Sequence, residues 1–151
     1  QTALHEIGHA LGLKHPFSGT GYNPSVVDPS WDTRSFTLMS YSAVAGNTDT
    51  YFSYEPTTPM LLDIAAIQHL YGANTSFHAS GTTYTYNAGA NYHQTIWDAG
   101  GTDTIRYVSS VGGSIDLNEG HGSQLGNTIY TQDANSQNIG AVLNVWIAYA
   151  R

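Results

Sequence analysis

The chain of 151 residues contains no cysteine and only four lysine and arginine residues. Without cysteine no disulfide can form, so a stable fold must depend on packing or on bound metal. Eleven acidic residues against those four give a net charge of −7, which excludes a basic patch for nucleic acid or for an anionic membrane. No stretch approaches the ~18 consecutive apolar residues that a membrane span requires.

The composition favours β-structure and turns, since the chain has 16 glycines and 11 tyrosines and is rich in threonine, asparagine and serine. Two helices are nevertheless predicted. The first covers residues 2–11. The second has Thr58 as its N-cap, Pro59 at its first position and Gly72 as its C-terminal stop. Between them, residues 15–54 are predicted to form a long loop, which a bound metal would help to hold.

Short strands separated by Gly, Asn, Asp and Ser turns are predicted after residue 74. Their predicted ranges are 82–86, 95–97, 104–108, 114–117, 128–131 and 141–148. We therefore expect an α+β protein with a boundary near residues 73–80, dividing a helical region (residues 1–74) from a β region (residues 75–151). Gln1 leads almost directly into the first helix, so we expect the chain to begin in mid-domain.

A metal-binding motif lies inside the first predicted helix, where residues 5–15 follow the pattern H-E-x-x-H-x-x-G-x-x-H. His5 and His9 are four residues apart, so they lie on one face of a helix and can bind one metal ion. A continued helix would carry His15 to the wrong side. Gly12 can end the helix in a left-handed conformation and turn the chain back, so that His15 reaches the same metal.

Three neutral histidines and one open position are typical of a catalytic zinc site rather than a structural one. The carboxylate beside them, Glu6, is placed to take a proton from a water that zinc has acidified. The alternative is a chance match, in which the histidines have only packing or surface roles.

A second metal-related pattern surrounds a glycine pair. Asp98 and Asp103 flank Gly100 and Gly101, and residues 100–105 form a degenerate copy of the repeat that builds calcium-binding parallel β-rolls. An ordinary Gly-Gly turn between strands remains the alternative.

Several other polar residues have no assigned role. Asp116 and Glu119 are either calcium ligands or solvated side chains. His69 is predicted to be a surface or packing residue, and His93 and His121 are predicted to be exposed, because both lie in turn-rich polar stretches.

With these motifs established, the chain resembles the serralysins, secreted bacterial zinc endopeptidases of the metzincin clan that depend on calcium. Pro16 follows the third histidine, as in that family, and residues 35–41, S-F-T-L-M-S-Y, are similar to its Met-turn. Residues 63–74 are similar to the helix that closes the family's catalytic domain, and residues 97–105 to its entry into the β-roll. The resemblance implies the C-terminal half of a metzincin domain followed by the start of an RTX-like parallel β-roll.

Site residues follow from the same resemblance. It implies one zinc ion with four ligands, His5, His9, His15 and Tyr41. Glu6 would be the general base, and Tyr41 would leave the metal on substrate binding and donate a hydrogen bond to the developing oxyanion. Met39 would be structural, as would Gly12.

The resemblance also implies one or more structural calcium ions. The matching positions are His78, Ser80, Thr82, Asp98, Gly100, Gly101 and Asp103. His78 and Ser80 depart from the arginine and glycine usual in the family, and Leu62 stands where a second aspartate is usual.

The function implied is hydrolysis of peptide bonds in proteins, with broad specificity, by a secreted, extracellular and monomeric enzyme. Its expected partners are protein or peptide substrates and a small protein inhibitor, with no nucleic acid and no membrane span. Two other functions remain open. The chain could be a catalytically incomplete metal-binding piece of such a protease, or a calcium-dependent adhesion or surface-layer module.

Overall fold

The computed structural model describes residues 1–148. These residues form two α-helices, one short 3₁₀ helix and eight short strands. The helices are α1 (Thr2–Ala10), the 3₁₀ helix (Pro29–Trp31) and α2 (Leu61–Tyr71). The strands are β1 (Tyr51–Phe52), β2 (Thr83–Asn87), β3 (Gln94–Ile96), β4 (Thr104–Val108), β5 (Gly122–Ser123), β6 (Ile129–Gln132), β7 (Asn138–Val142) and β8 (Val145–Ile147).

The start of α2 differs from the sequence prediction. The helix begins at Leu61 and its N-cap is Met60, whose backbone N–H donates to the Asp63 carboxylate at 2.9 Å. Thr58 is not the cap, because its hydroxyl instead accepts the backbone N–H of Thr95 at 2.9 Å. At the other end the prediction is confirmed: Gly72 follows the last turn with φ +82°.

The strands form three small sheets. One is antiparallel with the order β1-β6-β7, one is the parallel pair β2-β4, and one has the order β3-β8-β5, with β3 and β8 parallel. Strands β2, β3, β4 and β6 lie within two residues of their predicted ranges. The strand predicted at 114–117 is wrong, since only one isolated bridge forms there, between Ser114 and Gln124.

The single strand predicted at 141–148 is two strands, β7 and β8. Between them lies Asn144, which is fully buried and not part of either strand. Its side-chain amide donates to the carbonyl of Leu125 and its oxygen accepts the Leu125 backbone N–H, so a side chain satisfies buried backbone groups that no strand pairs.

The core that supports α1 and α2 contains residues from both predicted regions of the chain. Leu38, Met60 and Leu61 pack with Trp146 and Ala148 in one buried cluster. In addition, β1 pairs with β6, so residues before and after position 75 share a sheet. The division at 74/75 stays a prediction, and these contacts cross it. None of the helices in the described residues is long and apolar enough to cross a membrane.

Candidate metal centre

Three histidine side chains converge at the C-terminal end of α1. The Nε2 atom of His15 lies 3.1 Å from that of His9 and 3.4 Å from that of His5. Within residues 1–148 this is the only group of three or more His, Asp or Glu side chains whose ligand atoms lie close enough to share one ion, all within 4.8 Å. The structure therefore brings together the three residues of the sequence motif.

The end of α1 produces this convergence. The helix ends at Ala10 with Leu11 as its C-cap, and Gly12 takes φ +91°, a left-handed conformation that costs glycine little. The N–H of Leu13 then donates to the carbonyl of Gly8 at 2.9 Å, which closes the helix end. The chain leaves in the direction that returns His15 to the face carrying His5 and His9.

Hydrogen bonds fix how two of the rings point. His5 Nδ1 lies 2.7 Å from the carbonyl of Leu38, and His9 Nδ1 lies 2.9 Å from the carbonyl of Leu13. A carbonyl only accepts, so each Nδ1 carries the proton and each Nε2 of the neutral ring presents a lone pair. This is how metal-binding histidines are usually oriented.

The two nitrogen separations measured from His15 are those expected around a zinc ion. Zn–N bonds of about 2.0–2.1 Å in tetrahedral geometry place ligand nitrogens about 3.3 Å apart. The separations of 3.1 and 3.4 Å from His15 bracket this value. Burial, and then the neighbouring His9 and His5, lower the pKa of His15, which favours the neutral form that binds metal.

Tyr41 completes one side of the cluster. Its hydroxyl lies 2.9 Å from Nε2 of His15, and its side chain is 48 % exposed. Met39 is only 2 % exposed. It packs directly against α1, because a Cβ added at Gly8 would lie 2.6 Å from the Met39 sulfur. Glu6 is exposed, and its charge opposes the lowering of the His15 pKa.

Two residues at the site were not found from the sequence. Phe17 stacks on His15, with ring centroids 5.2 Å apart and planes 11° apart. An aromatic residue two positions after the last histidine was the available signal. The second is Asp63, which is 3 % exposed and accepts hydrogen bonds from Leu38 N–H and the Thr37 hydroxyl at 2.8 and 2.6 Å. Its signal was the only acidic residue in a mainly apolar helix.

A cavity of about 360 Å³ opens beside the cluster. His15 and Met39 line it on one side and Leu62 and Ala66 of α2 on another, with His69 among the remaining lining residues. His69 itself is exposed, as predicted. A larger cavity, of about 470 Å³, lies between α2 and Trp97 and contains none of the three histidines.

The predicted calcium residues are brought together only in part. Thr82 N–H donates to Asp103 at 2.9 Å, and Gly101 packs on Ser80, since a Cβ on that glycine would lie 2.7 Å from the Ser80 carbonyl carbon. Asp98 accepts the N–H of Gly100 at 3.0 Å.

Asp98 also accepts the Tyr84 hydroxyl, which lies 2.8 Å from Nδ1 of His78. The hydrogen bonds from Gly100 and Tyr84 lower the pKa of Asp98. In the described residues these side chains do not form a compact group of three ligating carboxylates or histidines.

Of the two remaining histidines, one is buried and the other is exposed. The prediction for His93 is wrong: its side chain is fully buried, with Nδ1 2.9 Å from the carbonyl of Tyr54. His121 is exposed as predicted and pairs with Asp116 at 2.9 Å.

Several known proteins are similar to this chain over most of its length. No protein-family model matches the chain. Serralysin C of Dickeya chrysanthemi is 39% identical over 143 residues, covering 83% of this chain and 30% of the relative. Metalloprotease AprA of Pseudomonas entomophila is 35% identical over 150 residues, covering 85% and 31%. Serralysin of Photorhabdus luminescens is 34% identical over 148 residues, covering 83% and 30%.

The chain belongs to the serralysin family. These relatives imply a metzincin protease domain, and the structure is a mixture of helices and sheets. The chain spans about 30% of the length of the curated relatives that it matches.

Proposed function

We propose that this serralysin-family chain carries the catalytic zinc centre of a secreted metalloendopeptidase that hydrolyses peptide bonds in proteins. The observation that carries the proposal is the approach of three histidine Nε2 atoms to one another, with two of the rings held in the metal-binding tautomer.

His5, His9 and His15 would hold the zinc ion, with Tyr41 as a further ligand. When bound, zinc supplies a Lewis acid that polarises a carbonyl and acidifies water. Glu6 is the exposed carboxylate that would accept a proton from the attacking water and pass it to the leaving amine. The Tyr41 hydroxyl, half exposed beside His15, would turn to substrate and donate a hydrogen bond to the oxygen on which charge develops.

The cavity beside His15 would receive a side chain of the peptide substrate. Its position between the histidine cluster and the exposed edge of α2 supports this, as do its lining residues Met39, Leu62 and Ala66, which favour an apolar substrate side chain. Protein or peptide substrates are therefore the expected partners. That the chain is monomeric and takes a small protein inhibitor stays a prediction.

The β region would be the start of a parallel β-roll that binds structural calcium. The parallel pairs β2-β4 and β3-β8 support it, together with the close packing of Gly101 on Ser80 and the hydrogen bond from Thr82 to Asp103. His78, Gly100 and Asp98 would complete the calcium side of this proposal, which keeps the division into residues 1–74 and 75–151.

Metal analysis and a protease assay test the proposal together. The purified chain, dialysed against zinc and calcium, is expected to retain one zinc ion, and the His9→Ala variant to retain none. Cleavage of casein should be abolished by a chelator and restored by zinc. A chain that retains no zinc contradicts the proposed centre.

A second candidate is a metal-binding segment without turnover. The coverage of about 30% of the relatives' length favours it, because most of the length of those proteins has no counterpart in this chain. Zinc binding without casein cleavage by this chain, together with cleavage by a longer polypeptide containing it, would support this alternative.

A further inference from the structure

Arg34 is a buried cation whose donors are almost all used. It is 5 % exposed, and its Nε and Nη2 atoms donate to the two carboxylate oxygens of Glu55, each at 2.9 Å. Nη1 donates to the backbone carbonyl of Tyr41. Nη2 also reaches the carbonyl of Thr50 at 3.4 Å. A planar guanidinium can bond a carboxylate with one edge and a carbonyl with another, which an ammonium group cannot do in the same geometry.

The backbone of the same residue binds the neighbouring position. Arg34 N–H donates to the carbonyl of Ser42 at 2.8 Å. Arg34 therefore holds two consecutive residues, Tyr41 and Ser42, and closes the segment 34–42 into a loop. That loop contains the carbonyl of Leu38 that accepts the proton of His5.

Tyr41 needs such a support. Its side chain is 48 % exposed, and its ring contacts His15, His5 and Phe17, with centroids 4.6, 5.8 and 5.3 Å apart, instead of a buried core. Packing on one side leaves an aromatic ring several accessible rotamers, so the position of its backbone determines whether the hydroxyl reaches Nε2 of His15.

We propose that Arg34, oriented by Glu55, is the positioning residue that holds Tyr41 over His15. The importance of Arg34 for catalysis rests on the proposed zinc centre. Its effect on the position of Tyr41 does not depend on a metal. If Arg34 only stabilised the fold, replacing it would loosen the segment 34–42 as a whole, and Tyr41 would be affected no more than the rest.

Nuclear Overhauser effects in the metal-free chain test the placement directly. The Arg34→Lys variant keeps a positive charge opposite Glu55 but cannot bond Tyr41 at the same time. We expect it to lose the effect between the Tyr41 ring and the His15 ring. Effects between Phe36 and Trp146, whose ring centroids are 5.2 Å apart, should remain. The matched control is Arg106→Lys, the same change at an exposed position of β4, which should retain both.

Persistence of the Tyr41–His15 effect in the Arg34→Lys variant would overturn the proposal. So would a simultaneous loss of the Phe36–Trp146 effect, because it would show a general structural role. The Glu55→Gln variant is a second, independent arm. It keeps the side chain's size but weakens the ion pair that orients Arg34, and it should reduce the Tyr41–His15 effect in the same direction.

Zinc affinity provides a double-mutant cycle. Arg34→Lys and Tyr41→Phe should each weaken zinc binding, and the double variant should bind no more weakly than Tyr41→Phe alone, since both changes act through the Tyr41 hydroxyl. Additive losses would show that Arg34 acts elsewhere. If the unaltered chain binds no zinc, the proposed metal centre fails, while the Overhauser measurements still decide the role of Arg34.

Discussion

The carboxylate of Asp63 accepts the backbone N–H of Leu38 at 2.8 Å, and the carbonyl of Leu38 accepts the Nδ1 proton of His5 at 2.7 Å. One buried side chain of α2 is thus connected through a single residue to a histidine of the candidate metal centre. Burial raises the pKa of Asp63, and the hydrogen bonds from Leu38, Thr37 and Met60 act in the opposite direction.

Replacing Asp63 should therefore affect stability according to the acceptors that remain. Asp63→Asn keeps one oxygen for the N–H groups of Leu38 and Met60, so we expect a small loss of unfolding free energy. Asp63→Leu leaves both N–H groups unpaired, at about 1–3 kcal/mol each. Urea unfolding measures the difference, with Asp49→Leu as an exposed control. Equal losses for the two Asp63 variants would contradict this account.

Glu6→Gln should separate metal binding from turnover. The amide cannot accept the proton from water, and Glu6 is not among the residues proposed to hold zinc. We expect zinc content to be unchanged and casein cleavage, in this chain or in a longer polypeptide containing it, to fall by about 10²–10⁴-fold. Glu119→Gln, at another exposed carboxylate, is the control. A Glu6→Gln protein that cleaves casein at nearly the unaltered rate would show that another group is the base.

Gly12→Ala should weaken zinc binding beyond its effect on stability. Gly12 has φ +91°, and an alanine there costs about 1–2 kcal/mol. Gly46 is a matched control, because its φ is +77° and, as at Gly12, an added Cβ would meet no close neighbour. Both alanine variants should lose similar unfolding free energy, but only Gly12→Ala should displace His15 and lower zinc affinity. Calorimetric titration with zinc decides the matter. Similar zinc affinities for both variants would contradict the role of this turn.

The buried ring of His93 should make the metal-free chain less stable as the pH is lowered below about 6.5. Burial lowers the pKa of His93 from its ordinary value of 6.5, with Arg34 adding to this and the Tyr54 carbonyl and Glu55 opposing it. The unfolded chain then binds more protons than the folded chain over the interval below 6.5, so acidification favours unfolding. His15, whose pKa is also lowered, contributes in the same direction.

The His93→Gln variant should show a smaller dependence on pH. One group contributes at most about 1.4 kcal/mol per pH unit. Urea unfolding at pH 7.5 and 5.5 measures the slope, and the variant's slope should be smaller than that of the unaltered chain, whatever its stability at pH 7.5. The same change at the exposed His69 is the control. An unchanged slope in the His93→Gln variant would show that protonation of this ring does not oppose folding.

Features that depend on neighbouring residues were predicted well. The helix carrying His5 and His9, the glycine that ends it, and the stop of α2 at Gly72 follow from spacing and from backbone conformations available to glycine. The start of α2 was wrong for a different reason: Thr58 is a good N-cap residue, but its hydroxyl is bonded to Thr95, a residue 37 positions away. A distant partner therefore displaced the local preference.

The sequence alone determined which histidines come together, because a helical repeat and a glycine turn are local and need no other segment of the chain. Only the tertiary structure decided the rest. The Leu38 carbonyl orients His5 from 33 positions along the chain, and Glu55 pairs with Arg34 across 21 positions. The buried ring of His93 bonds the carbonyl of Tyr54, 39 positions away. Such contacts depend on how separate segments pack, and no spacing rule along one segment specifies them.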